Sequence, residues 1–150
     1  MTTACTLARN GFSLNTKALI DSGANGFALI DQSFLLQLSR FLKPFTARLC
    51  KPLKVKGYNG SAGEAITRYA LMTLTVDGRT QSFTPFLITR LGDHKIILGR
   101  HWLAENRILV DCARRKLHWP ADLPPTLNYT RNTDITSSLG LPAIVNLCYQ

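Results

Sequence analysis

The chain has 150 residues, 45% of them hydrophobic, which is enough for one globular domain with a sizeable core and too few for two full domains. No apolar run approaches the roughly 20 residues that cross a bilayer, and no apolar stretch follows a basic N-terminal start, so a soluble, unsecreted, intracellular domain is expected. The formal net charge of +9 invites a nucleic-acid partner, yet the cations lie scattered from Lys43 to Lys56 and in one short run, Arg114 to Lys116, with neither an Arg-rich helix nor an aromatic-studded RNA-binding strand.

In chain order, Phe12 to Asp21 reads as strand, turn and strand, and Gly26 to Ile30 as a further short apolar strand. Asp31 stands where a helix N-cap belongs. Phe34, Leu35, Leu38, Phe41 and Leu42 then recur at helical spacing until Pro44, which predicts one amphipathic helix. From Pro52 the pattern switches to period two, with Leu53 and Val55 on one face, until Gly57, Gly60 and Gly63 interrupt it.

Residues 65 to 89 give the clearest β signal. Ala70, Met72, Leu74 and Val76 share a face, Asp77 and Gly78 form a two-residue turn signal, and a second strand runs through Phe83 to Ile88. Ile96 to Leu98 reads as a buried strand, followed by Gly99 and a short helical turn carrying Trp102 and Leu103. A last hairpin is expected from Ile108 to Val110 and Leu117 to Trp119. After Pro120 both periodicities vanish, so residues 1–120 are expected to form the domain and 121–150 a flexible tail or linker. Many short strands with two modest helices predict a mostly-β single domain closing as a small barrel.

The chemistry concentrates at Asp21. A short apolar strand, Ala18 to Ile20, delivers it to a fixed point, Ser22 can bond the neighbouring backbone, and Gly23 is expected to supply backbone angles that a residue with a Cβ resists. Asp-Ser-Gly is also ordinary turn composition, so the weight lies in its context. Other chemistries find little support. His94, His101 and His118 do not stand at metal-ligand spacing, and Cys112 with His118 leaves two ligands unfound. Cys5, Cys50, Cys112 and Cys148 form no Cys-x-x-Cys pair, so a reducing compartment is the simpler expectation. The glycine series from Gly57 fits neither a dinucleotide fingerprint nor a phosphate loop. No metal or cofactor is expected.

The stretch Ala18 to Ala24, with its Asp-Ser-Gly-Ala core, resembles the active-site segment of the retropepsin-like aspartic proteases. Downstream, Ile96-Ile97-Leu98-Gly99-Arg100-His101-Trp102-Leu103 resembles the apolar-apolar-Gly element that packs around the catalytic turn in that family. The segment from Gly57 through Tyr58, Asn59, Gly60 and Ser61 lies where the family carries its flap, a hairpin that covers bound peptide and excludes water. Together these pieces are similar to the proteases of gypsy-type long-terminal-repeat retrotransposons, over roughly residues 7 to 120.

That resemblance implies a retropepsin-like closed barrel in which Asp21 is catalytic and Ser22, Gly23 and Ala24 support its turn. Ile97, Leu98, Gly99 and Arg100 are then the second structural element. The family's activity is hydrolysis of polypeptide, here a retroelement polyprotein. One carboxylate must activate water while a second, protonated one polarises the scissile carbonyl. A single Asp-Ser-Gly therefore implies a homodimer with one Asp21 from each copy on the two-fold axis. Many viral relatives carry an acid just after the Ala, paired with the downstream Arg, whereas this chain has Asn25 opposite Arg100. The alternatives left open are a catalytically silent dimerisation or binding module of the same fold, a basic nucleic-acid-associated domain, and the retropepsin domain of a ubiquitin-linked shuttle protein.

Overall fold

The computed structural model describes residues 1–53 and 65–129. Its first element is a hairpin of β1 (Thr2–Arg9) and β2 (Phe12–Ile20), in antiparallel register from Thr2 opposite Leu19 to Arg9 opposite Phe12. Asn10 (φ 53°) and Gly11 (φ 80°) both lie in the left-handed region, as a two-residue turn matching the twist of its strands requires. The turn expected within Phe12 to Asp21 is therefore displaced to Asn10 and Gly11, and β2 is one unbroken strand. Its inward series ends in the buried Ala18 and Ile20, with Ser13, Asn15 and Lys17 exposed between.

Next come β3 (Ala28–Asp31) and α1 (Gln32–Leu38). Asp31 is the expected N-cap: Oδ2 accepts from Phe34 N at 3.2 Å, and Oδ1 accepts from Leu91 N at 2.9 Å. The helix stops at Leu38, earlier than its apolar spacing suggests. Ser39 Oγ donates to the Leu35 carbonyl at 2.8 Å, and Pro44 disfavours helical angles at Lys43, which takes φ 44°. Phe41 and Leu42 N–H groups still reach the Leu38 carbonyl, and Leu42 stays buried. Because one carboxylate satisfies two backbone donors, Asp31→Ala is expected to cost about 1–2 kcal/mol. Urea denaturation checks it, with a lower midpoint at unchanged slope.

The edge strand β4 (Phe45–Leu53) pairs with β5 (Ile66–Val76), which turns through Asp77 (φ 51°) and Gly78 (φ 73°) into β6 (Arg79–Thr89). Period two was expected only from Pro52. The strand begins seven residues earlier, at Phe45, and Pro52 is tolerated because it falls in the irregular stretch between Arg48 and Leu53 on a strand with one neighbour. After β7 (Ile96–Leu98) come α2 (Arg100–Glu105) and a separate two-stranded sheet of β8 (Leu109–Asp111) and β9 (Lys116–His118), the hairpin that the sequence implies.

Strands β6, β3, β7, β2, β1 and β5 hydrogen-bond in that order, and β5 pairs back to β6, which closes a six-strand barrel. Strand β7 is inserted between β2, to which it is parallel, and β3, to which it is antiparallel. Where they meet, at Ala18–Ile20 of β2, these three central strands are apolar on both faces and serve two cores. Ala18, Ile20, Ala28, Ile30, Ile96 and Leu98 face the larger core with Phe27 and Trp102, while Leu19, Leu29 and Ile97 face the smaller one with Leu49, Ile66, Tyr69 and Leu91.

The packed body reaches beyond residue 120. Strand β10 (Thr126–Asn128) runs parallel to β6, and Tyr129 is buried edge-on to the Phe27 ring with centroids 5.2 Å apart. Its hydroxyl accepts from Asn106 Nδ2 at 3.3 Å, within a buried network in which Gln81 bonds both Trp102 Nε1 and Asn106 Oδ1. Burial pushes the Tyr129 phenol strongly up, so it stays neutral. Residues 121 to 125 contain no period, and β10 is organised only by its long-range pairing with β6.

Candidate active site

Asp21 follows the last residue of β2, where the strand leaves the sheet. Its N–H donates to the Leu98 carbonyl at 3.0 Å, which extends the β2–β7 ladder to the candidate catalytic residue. The turn folds back at once: Ala24 N donates to the Asp21 carbonyl at 3.1 Å, and Gly26 N to the Ala24 carbonyl at 3.0 Å. The carboxylate is half-buried, with Oδ1 accepting from Gly23 N at 2.9 Å. Among the described residues no cation forms an ion pair with it. A carboxylate held by a backbone donor and not neutralised by a cation keeps a lone pair available for water.

The second element lies against this turn. Gly99 N donates to the Phe27 carbonyl at 2.8 Å, Arg100 N to the Ala24 carbonyl at 3.0 Å, and His101 N to the Gly26 carbonyl at 3.1 Å. The start of α2 thus donates three consecutive N–H groups to the loop carrying Asp21. Ile97 and Leu98 are fully buried beneath it, and Ala24 packs onto the smaller core. Sequence elements 75 residues apart form one rigid corner: Arg100 Nη2 donates to Asn25 Oδ1 at 2.6 Å. Asn25 is a neutral acceptor, so this bond is not an ion pair. Asn25→Asp is expected to raise the melting temperature slightly, since exposed ion pairs contribute about 0–1 kcal/mol, and the gain should vanish in high salt.

Gly23 acts differently from its expected role. It is not among the residues with positive φ; instead, a Cβ at this position would sit 3.2 Å from Asp21 Oδ1 and press on the carboxylate. Ser22 is exposed on the turn. Gly57, Tyr58, Asn59, Gly60 and Ser61, expected as the flap, lie outside the described residues. Gly26 and Phe27, expected to open a strand from Gly26 to Ile30, instead precede β3, and their carbonyls receive α2; a second glycine within a short turn was the available signal. Among the described residues no group of three or more His, Cys, Asp or Glu is placed to hold a metal ion. Among them, too, no helix is long and apolar enough to cross a membrane.

A closed six-strand barrel with an aspartate on a tight turn between its central strands defines the class as a retropepsin-like protease domain. The family model of the PEG10/RTL1 protease domain, which is retrotransposon-derived, matches residues 17–122, and the chain belongs to that family. Among solved structures, the chain is similar to the retroviral protease-like domain of Ddi1 from Leishmania major, with 13% identity, a TM-score of 0.46, and coverage of 83% of this chain and 99% of that one. No curated protein gives a significant match.

Proposed function

We propose that the chain is an aspartic endopeptidase that works as a homodimer, with one Asp21 from each copy forming the catalytic pair. The observation that supports this most directly is the fixing of the Asp21 turn by backbone hydrogen bonds from Gly99, Arg100 and His101 and by the bond from Asp21 N to the Leu98 carbonyl. Such a turn has little freedom to reorganise, and preorganised groups are what acid–base catalysis requires. Ser22 braces the paired turns, Gly23 and Ala24 shape the floor of the cleft, and Gly57 to Ser61 cover the bound peptide. The substrate is a polypeptide, in the first place the polyprotein of a retroelement.

In the pair, one carboxylate takes a proton from water while its protonated partner donates to the scissile carbonyl oxygen; the hydroxide equivalent adds to the carbonyl carbon. Collapse of the resulting diol then breaks the C–N bond as the amine is protonated. Two ionised carboxylates about 4 Å apart would repel by about 4 kcal/mol at an effective dielectric near 20, which favours one shared proton.

The test is cleavage of a mixed peptide pool at about pH 5 over a dilution series. Half a site per chain predicts specific activity that falls in step with dimer dissociation in sedimentation. A statine-type transition-state mimic is expected to raise the melting temperature only in the dimer. Activity that persists in a protein shown to be monomeric would refute the shared site, and a dimer that neither cleaves nor binds the mimic would point to a silent module.

A further inference from the structure

The inward face of the β1–β2 hairpin does not end in the closed core. Leu7 is opposite Leu14 and Arg9 opposite Phe12, so these four share the face that carries the larger core below them. At the hairpin end this face opens between β2 and the segment after α1 as a groove of about 240 Å³, lined by Phe12, Ser13, Leu14, Leu38, Phe41 and Leu42. Phe41 is 64% exposed, Phe12 58% and Leu14 38%. The groove walls are fastened together, because Asn10 Nδ2 donates to the carbonyls of Leu42 at 3.2 Å and Lys43 at 3.4 Å. It is a formed, apolar depression at the far end of β2 from Asp21.

The segments that form the groove carry charge of one sign. Arg9, Arg40 and Lys43 stand on the segments that form it, and residues 1–20 and 32–53 contain no Asp or Glu at all. Arg9 Nε is buried with no hydrogen-bond partner among the described residues, directly across the register from Phe12. A groove below about 300 Å³ with a single polar lining residue suits peptide side chains better than a small-molecule ligand. A second copy fits poorly, since a two-fold interface here would bring two basic patches together.

We propose that this groove docks an amphipathic peptide segment whose apolar side chains are flanked by Asp or Glu, the apolar groups meeting Phe12, Leu14 and Phe41 and a carboxylate meeting Arg9 and the rim. Docking here is independent of the catalytic proposal, because no groove residue takes part in the Asp21 turn.

The test is fluorescence anisotropy on the full chain carrying Asp21→Asn, which prevents hydrolysis, repeated on the wild type. Three labelled peptides share one pattern of Leu and Phe at helical spacing and differ only in Glu, Gln or Lys flanks. The Glu peptide is expected to bind with a micromolar Kd and to weaken about tenfold between low and high salt. Phe41→Ser is expected to weaken it at least about tenfold, with an unchanged circular dichroism spectrum because Phe41 is exposed. The double substitution Arg40→Gln with Lys43→Gln is expected to flatten the salt dependence. Equal binding of all three peptides, indifference to Phe41→Ser, or no binding at about 1 mM would overturn the proposal. So would capture of phosphatidylserine vesicles in place of peptide, or self-association that Phe41→Ser abolishes.

Discussion

Asp21→Asn is expected to abolish peptide cleavage while leaving the fold intact. Removing a positioned acid–base group typically costs about 10²- to 10⁴-fold in rate. Here the loss should sit at the upper end, because in the proposed symmetric pair one substitution removes both carboxylates. The structure is spared for a local reason: Gly23 N donates to Oδ1, and an amide oxygen in that place accepts the same bond. Both Asp21 N and the Asp21 carbonyl keep their backbone partners, Leu98 and Ala24. Cleavage assays paired with thermal melts check this, and equal cleavage by both proteins would remove Asp21 from the mechanism. The variant also probes the pairing. With both acids replaced, the pair no longer has to hold a proton to avoid charge repulsion, so the Asn protein is expected to dimerise at least as tightly as the wild type at neutral pH.

Much of the fold around the candidate site was legible in the chain itself. The apolar runs Ala18 to Ile20 and Ile96 to Leu98 are short and unalternating, which is the signature of strands buried on both faces, and those strands lie side by side at the barrel centre. Asp31 announced the helix start, because an acceptor at that position satisfies an otherwise orphaned N–H. The Asp77-Gly78 turn fell where expected, while the Asn10-Gly11 turn carried an equally strong signal that was passed over in favour of an interruption inside β2.

Other features were invisible for physical reasons. Strand β4 has a weak pattern because it is an edge strand, exposed over much of its length, with Arg48 and Cys50 facing out. Strand β10 and Tyr129 depend wholly on partners distant in sequence, β6 and Phe27, so no local period marks them. The meeting of Gly99 with the Asp21 turn is likewise non-local, and only the resemblance to a known family brought the two segments together before the structure did.

Gly99→Ala is expected to be among the most damaging single-methyl changes in the domain. Gly99 has an extended backbone, φ −94° and ψ −173°, open to any residue, so the requirement for glycine there is one of space. An added Cβ would collide with the Gly26 carbonyl oxygen and lie 2.9 Å from the Ala24 oxygen and 3.0 Å from the Gly26 carbon. All three are backbone atoms, with no rotamer through which to yield. Relief must come from separating the 24–26 turn from the start of α2, which stretches the Arg100–Ala24 and His101–Gly26 hydrogen bonds that hold Asp21 in place. Forcing one methyl into a packed interior costs about 1–3 kcal/mol, occasionally more; with backbone on every side, about 3 kcal/mol is expected, or a melting temperature lower by about 6–12 °C for a domain of this size. Gly26→Ala supplies the contrast, since among the described residues its Cβ would meet only Leu29 Cδ2, at 4.0 Å, and should be tolerated. If Gly99→Ala melts within about 1 °C of the wild type, the close packing of these two segments does not hold the Asp21 turn. If it melts low yet cleaves at full rate per folded dimer, the turn keeps its geometry without that support.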